Sequence, residues 1–291
     1  MSITLGNSAY TATVFEKGAE LASLRAAADG REYLWNGDPA WWTGRAPILF
    51  PIVGTLKDGT YTHEGRSYSL PGHGFARISD FVVARSDETF ASLRLDSSAR
   101  TRESYPFDFS LTVDFRLKND GVSVMYRLRN TGAVAMLYSI GSHPGFMVPF
   151  AGGTIDDYFV QFDQTERDER WFIVPQNGLI EAGRTEPAFE AGKRIRLSKT
   201  IFDRGALVFK HPRSTSFSLR NDLNGHSVTV LTEGAPYLGI WAKPGAPYVC
   251  IEPWHGIADS TDSTGVLAQK EGILTLEAGQ TFETGYRVII A

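Results

Sequence analysis

Apolar and polar residues alternate with a period of two along most of this chain, most clearly between residues 109 and 128. Every second residue is apolar over residues 109–117, and the same alternation resumes over residues 122–128. Lys118-Asn119-Asp120-Gly121 separates the two runs and has the composition of a tight turn. Alternation of this kind is typical of a strand with one buried face, so the pattern predicts an antiparallel hairpin.

The same pattern predicts a second hairpin, further strands and little helix. Apolar positions 217, 219, 228 and 230 flank the turn-forming segment Asn221-Asp222-Leu223-Asn224-Gly225, which predicts the second hairpin. Asp163–Trp171 is predicted as a short polar helix and Asp38–Thr43 as a single helical turn. No run keeps a helical period over three turns. Further strands are predicted at Ser79–Val83, Ser92–Leu95, Tyr158–Phe162, Leu207–Phe209, Tyr248–Ile251 and Tyr286–Ile290.

Composition supports many short strands. The 291 residues include 29 glycines and 14 prolines, a large supply of turn-forming residues. A length of 291 fits two ordinary domains or one large β unit. Without a linker or a repeat, we expect an all-β fold class: one large antiparallel β-sandwich domain over residues 1–291.

Charge and sequence segments restrict the partners and the compartment. The net charge is −4 and no basic run is present, which argues against nucleic acid. The chain has no apolar stretch of 18 residues, and its N-terminus lacks the features of a signal peptide. Cys250 is the only cysteine, which fits a reducing compartment. We therefore expect a cytoplasmic protein that binds neither nucleic acid nor membrane.

The strongest candidate for chemistry is Glu252, in the segment Val249-Cys250-Ile251-Glu252-Pro253-Trp254. A carboxylate directly after an apolar strand and beside an aromatic residue is partly desolvated, which raises its pKa towards neutrality. A general base needs such a pKa. A salt-bridged structural role is the alternative.

Two histidines and two arginines lie in unusual contexts. His73 stands between two glycines, with Arg77 close behind, and such a loop can approach a ligand closely. His143 ends a predicted strand just before Pro144-Gly145. Arg45 precedes a proline-bounded apolar run and offers a planar fork of donors. An ordinary turn, a structural histidine and a surface arginine remain open as alternatives.

Motifs for a metal or a cofactor are lacking. The six histidines show no metal-binding spacing, and a single cysteine cannot supply a thiolate cluster. Neither a Gly-x-Ser-x-Gly motif nor a nucleotide-binding glycine loop occurs. We expect no metal and no cofactor.

Four segments, taken in order, resemble the aldose 1-epimerases (mutarotases), and particularly their bacterial LacX-like branch. These segments are Gly44-Arg45-Ala46-Pro47-Ile48-Leu49-Phe50-Pro51, Gly72-His73-Gly74-Phe75-Ala76-Arg77, Ser142-His143-Pro144-Gly145-Phe146 and Ile251-Glu252-Pro253-Trp254. The resemblance covers nearly the whole chain. It implies a galactose mutarotase-like supersandwich with an open sugar cleft, in which the four segments meet.

The resemblance also implies roles for individual residues. Glu252 matches the family's general base and His143 its general acid, while His73 and Arg45 match residues that hold sugar oxygens. Asp203 is the candidate for the family's binding aspartate. Three further residues are assigned to the substrate on chemical grounds: Arg77 to a sugar oxygen, and Trp241 and Trp254 to a pyranose face, although either tryptophan could belong to the core.

Which sugar is bound stays open. Pro253-Trp254 differs from the dipeptide that follows the catalytic glutamate in galactose-type members. The His-Gly-Phe-Ala-Arg stretch also resembles hexose-6-phosphate mutarotases, so a sugar phosphate is an alternative substrate. A non-catalytic carbohydrate-binding β-sandwich is the second alternative. The expected partner is a small sugar or sugar phosphate, and the sequence fits a monomer or a homodimer.

Overall fold

The structure, a computed structural model, describes residues 1–291. It contains 24 strands, one short α-helix (α1, Ala99–Ser104) and four 3₁₀ turns at Lys57–Gly59, Ala76–Ile78, Ile155–Asp157 and Leu267–Gln269. The strands are β1 (Ser2–Gly6), β2 (Tyr10–Phe15), β3 (Glu20–Ala26), β4 (Ile48–Leu49), β5 (Thr60–His63), β6 (Arg66–Ser69), β7 (Val82–Ser86), β8 (Phe90–Asp96), β9 (Phe109–Lys118), β10 (Gly121–Asn130), β11 (Met136–Tyr138) and β12 (Ile140–Ser142). They continue with β13 (Gly145–Met147), β14 (Tyr158–Phe162), β15 (Arg170–Ile173), β16 (Ile180–Glu186), β17 (Arg194–Arg196), β18 (Leu207–Lys210), β19 (Ser216–Asn221), β20 (Ser227–Thr232), β21 (Tyr237–Trp241), β22 (Tyr248–His255), β23 (Leu274–Leu276) and β24 (Thr281–Ile290).

Two large sheets form the body of the molecule. One has nine strands in the order β17-β14-β19-β20-β24-β10-β9-β8-β7, and the other has eight in the order β16-β15-β18-β21-β22-β12-β4, with β13 also paired to β22. Three small sheets, β1-β2-β3, β11-β23 and β5-β6, complete the fold. A core of 62 buried residues draws side chains from both large sheets. The predicted all-β class and antiparallel sandwich are confirmed.

The hairpins follow the alternation that predicted them. Strands β9 and β10 pair directly across the turn, with Lys118 opposite Gly121. The apolar positions of both strands are buried, whereas their polar neighbours on β9 are partly exposed. Strands β19 and β20 form the second predicted hairpin. The predicted strand Tyr158–Phe162 coincides with β14, and the later strand predictions lie within β18, β22 and β24.

The predicted helix Asp163–Trp171 is wrong. Residues 163–169 form a loop, and residues 170 and 171 are the first two of β15. Asp163 accepts hydrogen bonds from the backbone N–H groups of residues 215 and 216, and Glu166 accepts from those of residues 213 and 214. The carboxylates therefore bind the backbone of a distant loop, which outweighs the helical preference of a short polar run.

Two smaller predictions have different outcomes. The predicted strand Ser79–Val83 is only partly confirmed, because a 3₁₀ turn precedes this segment and β7 begins at Val82. The single turn at Asp38–Thr43 is confirmed, since the Asp38 carbonyl accepts hydrogen bonds from the N–H groups of Trp41 and Trp42. No helix has the length and apolar character needed to cross a membrane.

Strand β22 departs from the alternation seen elsewhere. All its residues from Tyr248 to Trp254 are buried, including Glu252 at 1% exposure. The strand lies inside the eight-stranded sheet, between β21 and β12. A central strand covered on both faces has no solvent side, so a polar residue on it must have a local reason to be there.

Candidate active site

Strand β22 directs three unusual side chains to one face of its sheet. Because side chains alternate along a strand, Cys250, Glu252 and Trp254 share a face. Glu252 pairs with Gly239 on β21. A Cβ atom at position 239 would lie 2.4 Å from the Trp254 ring, so only glycine leaves room for the indole there. Gly239 thus lets the large aromatic ring pack beside Glu252.

His143 reaches Glu252 from the connection between β12 and β13. Its backbone N–H donates to the Pro47 carbonyl at 3.1 Å, and the Pro144 carbonyl accepts the Ile251 N–H at 3.1 Å. These bonds fix the connection against β22 and the segment before β4. The ring Nε2 then lies 3.2 Å from Glu252 Oε2.

The His143–Glu252 pair is almost completely removed from water. Burial raises the pKa of the Glu252 carboxyl well above its usual value, and burial lowers the pKa of His143 well below its own. Glu252 Oε2 and His143 Nδ1 have no hydrogen-bond partner, so the short Nε2–Oε2 contact is not aligned as a hydrogen bond. Groups this close titrate as a pair. Burial favours the forms in which the pair holds one proton and no net charge.

His73 supplies a donor with a defined tautomer. Its backbone is left-handed (φ +65°), and its N–H donates to the Gly54 carbonyl at 2.8 Å. The Gly54 N–H donates back to the ring Nδ1 at 3.2 Å. Burial, and then the charge of Arg77, lowers the pKa of His73 to about 4, so the ring is neutral at pH 7. With Nδ1 as the acceptor, Nε2 carries the proton and can donate it to a ligand oxygen.

Two tryptophans flank the acid–base pair. The Trp42 ring lies 4.8 Å from the His143 ring between centroids, and the Trp241 ring lies 5.7 Å from it in a T-shaped arrangement. The single turn at Asp38 positions Trp42, whose carbonyl accepts a hydrogen bond from the Trp35 indole at 2.7 Å. Aromatic walls of this kind suit the apolar face of a ring-shaped ligand.

These residues line one cleft of about 470 Å³. That volume lies within the ordinary range for small-molecule sites. His73, His143 and Glu252 line it together with Trp42, Trp241 and Trp254, while the exposed side chains of Arg77 and Asp203 also line it. A buried acid–base pair, a neutral imidazole donor and aromatic walls can bind a polar ring compound and move protons on it.

The sequence matches the model of a known protein family. The family model described as aldose 1-epimerase matches residues 1–271.

The chain belongs to the aldose 1-epimerase family.

Full-length relatives agree with the family assignment. The protein LacX, encoded on the chromosome of Lactococcus lactis subsp. lactis, is 28% identical over 298 residues, spanning 100% of this chain and 99% of LacX. A galactose mutarotase related enzyme from Lactobacillus acidophilus has a TM-score of 0.93 at 33% identity, covering 100% of this chain and 97% of its own. A galactose mutarotase-like protein from Lactobacillus casei ATCC 334 has a TM-score of 0.92 at 30% identity, covering 100% of both chains.

The epimerase fold brings together most of the residues singled out in the sequence. Glu252, His143, His73, Arg77, Asp203, Trp241 and Trp254 all line the cleft, although they come from segments up to 181 positions apart, residues 73 to 254. The tryptophans are therefore cleft residues as well as core residues, since Trp254 is only 5% exposed.

Arg45 lies outside the main cleft. Its guanidinium sits 5.1 Å from the centre of the Phe15 ring and packs against Gly37, where a Cβ would lie 2.5 Å from the guanidinium carbon. Its backbone N–H donates to Glu20 Oε1 at 2.6 Å. Arg45 instead lines a smaller adjoining pocket of about 310 Å³ with Arg77 and other residues.

Sequence reasoning missed Trp42 as a cleft residue. The available signal was the pair Trp41-Trp42 just before the Gly44-Arg45 motif. Only the geometry of the Asp38 turn distinguishes the two tryptophans. Trp42 lines the cleft, whereas Trp41 packs on the core near Lys243.

Proposed function

We propose that this chain interconverts the α and β anomers of a hexose, with Glu252 as general base and His143 as general acid. The observation that carries the proposal is the buried contact of 3.2 Å between His143 Nε2 and Glu252 Oε2 inside the cleft. In a cyclic sugar, the anomeric hydroxyl and the ring oxygen are bonded to the same carbon. Two adjacent groups, one giving and one accepting a proton, match those two adjacent oxygens.

The proton movements balance within the pair. The pair reacts in the form that has its one proton on His143 and an ionised Glu252, whereas burial of the empty site favours the proton on Glu252. In the reacting form Glu252 takes the proton of the O1 hydroxyl while His143 donates its proton to the ring oxygen, which breaks the C1–O5 bond and leaves an open-chain aldehyde. Rotation about C1–C2 presents the other aldehyde face. Closure reverses both transfers and returns the pair to its starting state, so no cofactor and no net proton exchange with water is required.

The neighbouring groups support this chemistry. His73 Nε2–H would donate to a sugar oxygen that gains negative charge, and a neutral donor does so without repelling the proton on His143. Arg77 and Asp203 would hold hydroxyl groups at the exposed part of the cleft. Trp42 and Trp241 exclude water around His143, which strengthens each electrostatic interaction in the site.

The test is anomer exchange measured by polarimetry on a panel of free hexoses, with Glu252→Gln as the variant. We expect wild-type protein to accelerate equilibration and the variant to lose roughly 10²- to 10⁴-fold in rate, the usual contribution of a general base. Glu271→Gln, which alters a surface carboxylate, is the control. Equal rates for wild type and Glu252→Gln would contradict the proposal, and sugar binding without acceleration would favour a non-catalytic carbohydrate-binding sandwich.

A phosphorylated hexose is a second candidate substrate, favoured by the pocket that adjoins the cleft. Three cationic side chains, Lys17, Arg45 and Arg77, line this pocket together with one carboxylate, Glu20. None of the three cationic side chains forms an ion pair. The pocket shares Trp42, Pro47 and Arg77 with the cleft, so one ligand can occupy both. If kcat/KM is higher for a hexose 6-phosphate than for the free hexose, and Lys17→Gln removes the difference, the phosphorylated sugar is the substrate. Equal values for both sugars exclude it.

A further inference from the structure

Cys250 is a buried nucleophile that the proposed reaction does not use. It is the only cysteine of the chain, and its side chain is fully buried. It precedes Glu252 by two positions on β22, so both side chains lie on the same face. Gly145, opposite Cys250 in the neighbouring strand, lets the sulfur sit against the β12–β13 connection that carries His143.

The fold thereby assembles three metal-binding donors that are far apart in sequence. One donor atom each from His143, Cys250 and Glu252 lies within 4.8 Å of the others. A four-coordinate zinc ion binds its donors at roughly 2.0–2.3 Å, which places the donors roughly 3–4 Å apart. His143 Nε2 and Glu252 Oε2 already meet this separation at 3.2 Å.

A second observation points to a ligand at this cluster. Glu252 Oε2 is buried without any hydrogen-bond partner, next to the imidazole nitrogen. A buried carboxylate oxygen without a partner is costly to the fold, and a bound cation would satisfy it.

Charge and donor type select the class of ion. A thiolate, a carboxylate and a neutral imidazole together carry two negative charges, which a divalent cation cancels inside a buried site. The S, O and N donor set suits zinc and its neighbours rather than magnesium or calcium, which prefer oxygen alone. Water would complete the four-coordinate set.

We propose that His143, Cys250 and Glu252 form an inhibitory site for a zinc-like divalent cation. Binding releases the Cys250 thiol proton and the proton held by the His143–Glu252 pair, so two protons leave for each ion bound. The bound ion occupies the donor atoms that would otherwise handle the sugar's protons. Metal and substrate therefore exclude each other. The binding half of this proposal stands by itself, and only the inhibition half rests on the proposed anomer exchange.

Cobalt(II) is the direct probe of binding, because a thiolate ligand gives a cobalt charge-transfer band in the near ultraviolet. Since Cys250 is the only cysteine, such a band can come from no other residue of this chain. We expect a saturable band in the wild-type protein that zinc abolishes by displacement. Absence of the band at saturating cobalt would overturn the proposal. This measurement needs no substrate and no variant, so it remains decisive if the protein has no anomerase activity.

Variants then connect binding to inhibition. Cys250→Ser and Cys250→Ala should keep the metal-free exchange rate, because Cys250 does not act on the sugar. They should need at least about tenfold more zinc for half-inhibition, because even the loss of a residue that only orients a metal ligand typically costs about 10- to 100-fold in affinity. His226→Ala, which removes an exposed histidine, is the matched control and should leave zinc inhibition unchanged. Equal zinc sensitivity of wild type and both cysteine variants would contradict the assignment.

Discussion

Two buried acid–base pairs in this molecule have opposite surroundings. Lys270 Nζ lies 2.8 Å from Asp259 Oδ1, and its other hydrogen bond goes to the Ile257 carbonyl at 2.6 Å. Asp259 Oδ2 in turn accepts the Lys57 backbone N–H at 2.9 Å. In the His143–Glu252 pair, the atoms at 3.2 Å are not aligned, and Glu252 Oε2 lacks a partner.

The difference separates a structural pair from the pair that we propose to be reactive. Lys270 Nζ and both carboxylate oxygens of Asp259 have hydrogen-bond partners. The pair therefore connects the segments around residues 57 and 257–259, which support the wall of the cleft. The Glu252 carboxylate keeps an unused acceptor, which a substrate hydroxyl can occupy. Buried charged groups with hydrogen-bond partners stabilise the fold, whereas a buried carboxylate oxygen without a partner can accept a hydrogen bond from a ligand.

The largest expected effect on stability comes from breaking the structural pair. Lys270→Met leaves Asp259 buried without its cation, and we expect the free energy of unfolding to fall by about 3–5 kcal/mol. Urea denaturation at pH 7 measures it. Arg94→Met is the matched control, because Arg94 pairs at 3.0 Å with Asp96 and both side chains are exposed. A surface pair of that kind is worth about 0–1 kcal/mol, so equal losses in the two variants would contradict the comparison.

A smaller effect on stability is expected from His255, which has a hydrogen-bond partner in its neutral form. His255 Nε2 lies 2.7 Å from Thr284 Oγ1, and burial lowers the pKa of His255 to about 4. The unfolded chain, with a histidine pKa of about 6.5, binds the proton first as the pH falls. The contribution of His255 to the free energy of unfolding is therefore complete above about pH 6.5. It decreases as the pH falls from there towards 4.

His255→Gln keeps a polar group near Thr284 but removes this titration. Between pH 7 and pH 5 we expect wild type to lose about 2 kcal/mol more stability than the variant, from the difference between the two histidine pKa values. Urea unfolding at both pH values, followed by tryptophan fluorescence, gives the two differences. Identical pH dependence in both proteins would show that His255 is not a buried neutral group.

The smallest expected effect is on KM and comes from Trp42, which lines the cleft beside His143. Trp42→Leu removes the ring that lies 4.8 Å from His143, and we expect substrate affinity to weaken by about 1 kcal/mol, roughly fivefold in KM. Trp41→Leu is the control, because Trp41 does not line the cleft. The comparison is of KM values for the two variants with the same hexose. If Trp41→Leu raises KM as much as Trp42→Leu, the assigned wall is wrong.

Strands were predictable from the sequence where one face of the sheet is buried and the other faces solvent. Strands β9 and β19 alternate strictly in burial, so their sequence pattern and turn residues were enough. The segment Asp163–Trp171 was not predictable from local propensity. Its carboxylates bind backbone groups some 50 residues away, and local pattern carries no trace of such contacts.

The candidate site was predictable in residue type but not in full geometry. Glu252 stood out as a carboxylate directly after an apolar strand, and His73 and His143 stood out beside glycine and proline. Arg45 lies in the adjoining pocket because the Phe15 ring and Gly37 receive its guanidinium, contacts that no local motif contains. The burial of Lys270 was equally hidden, since a lysine is exposed by default.

The most direct test of the central claim is a double-mutant cycle on the reactive pair. Exchange between anomers is measured by NMR saturation transfer for wild type, Glu252→Gln, His143→Gln and the double variant, at saturating hexose. If the two residues act as one proton-transferring unit, each single variant loses about as much rate as the double variant. Rate losses that multiply in the double variant, or a single variant with wild-type exchange, would contradict it.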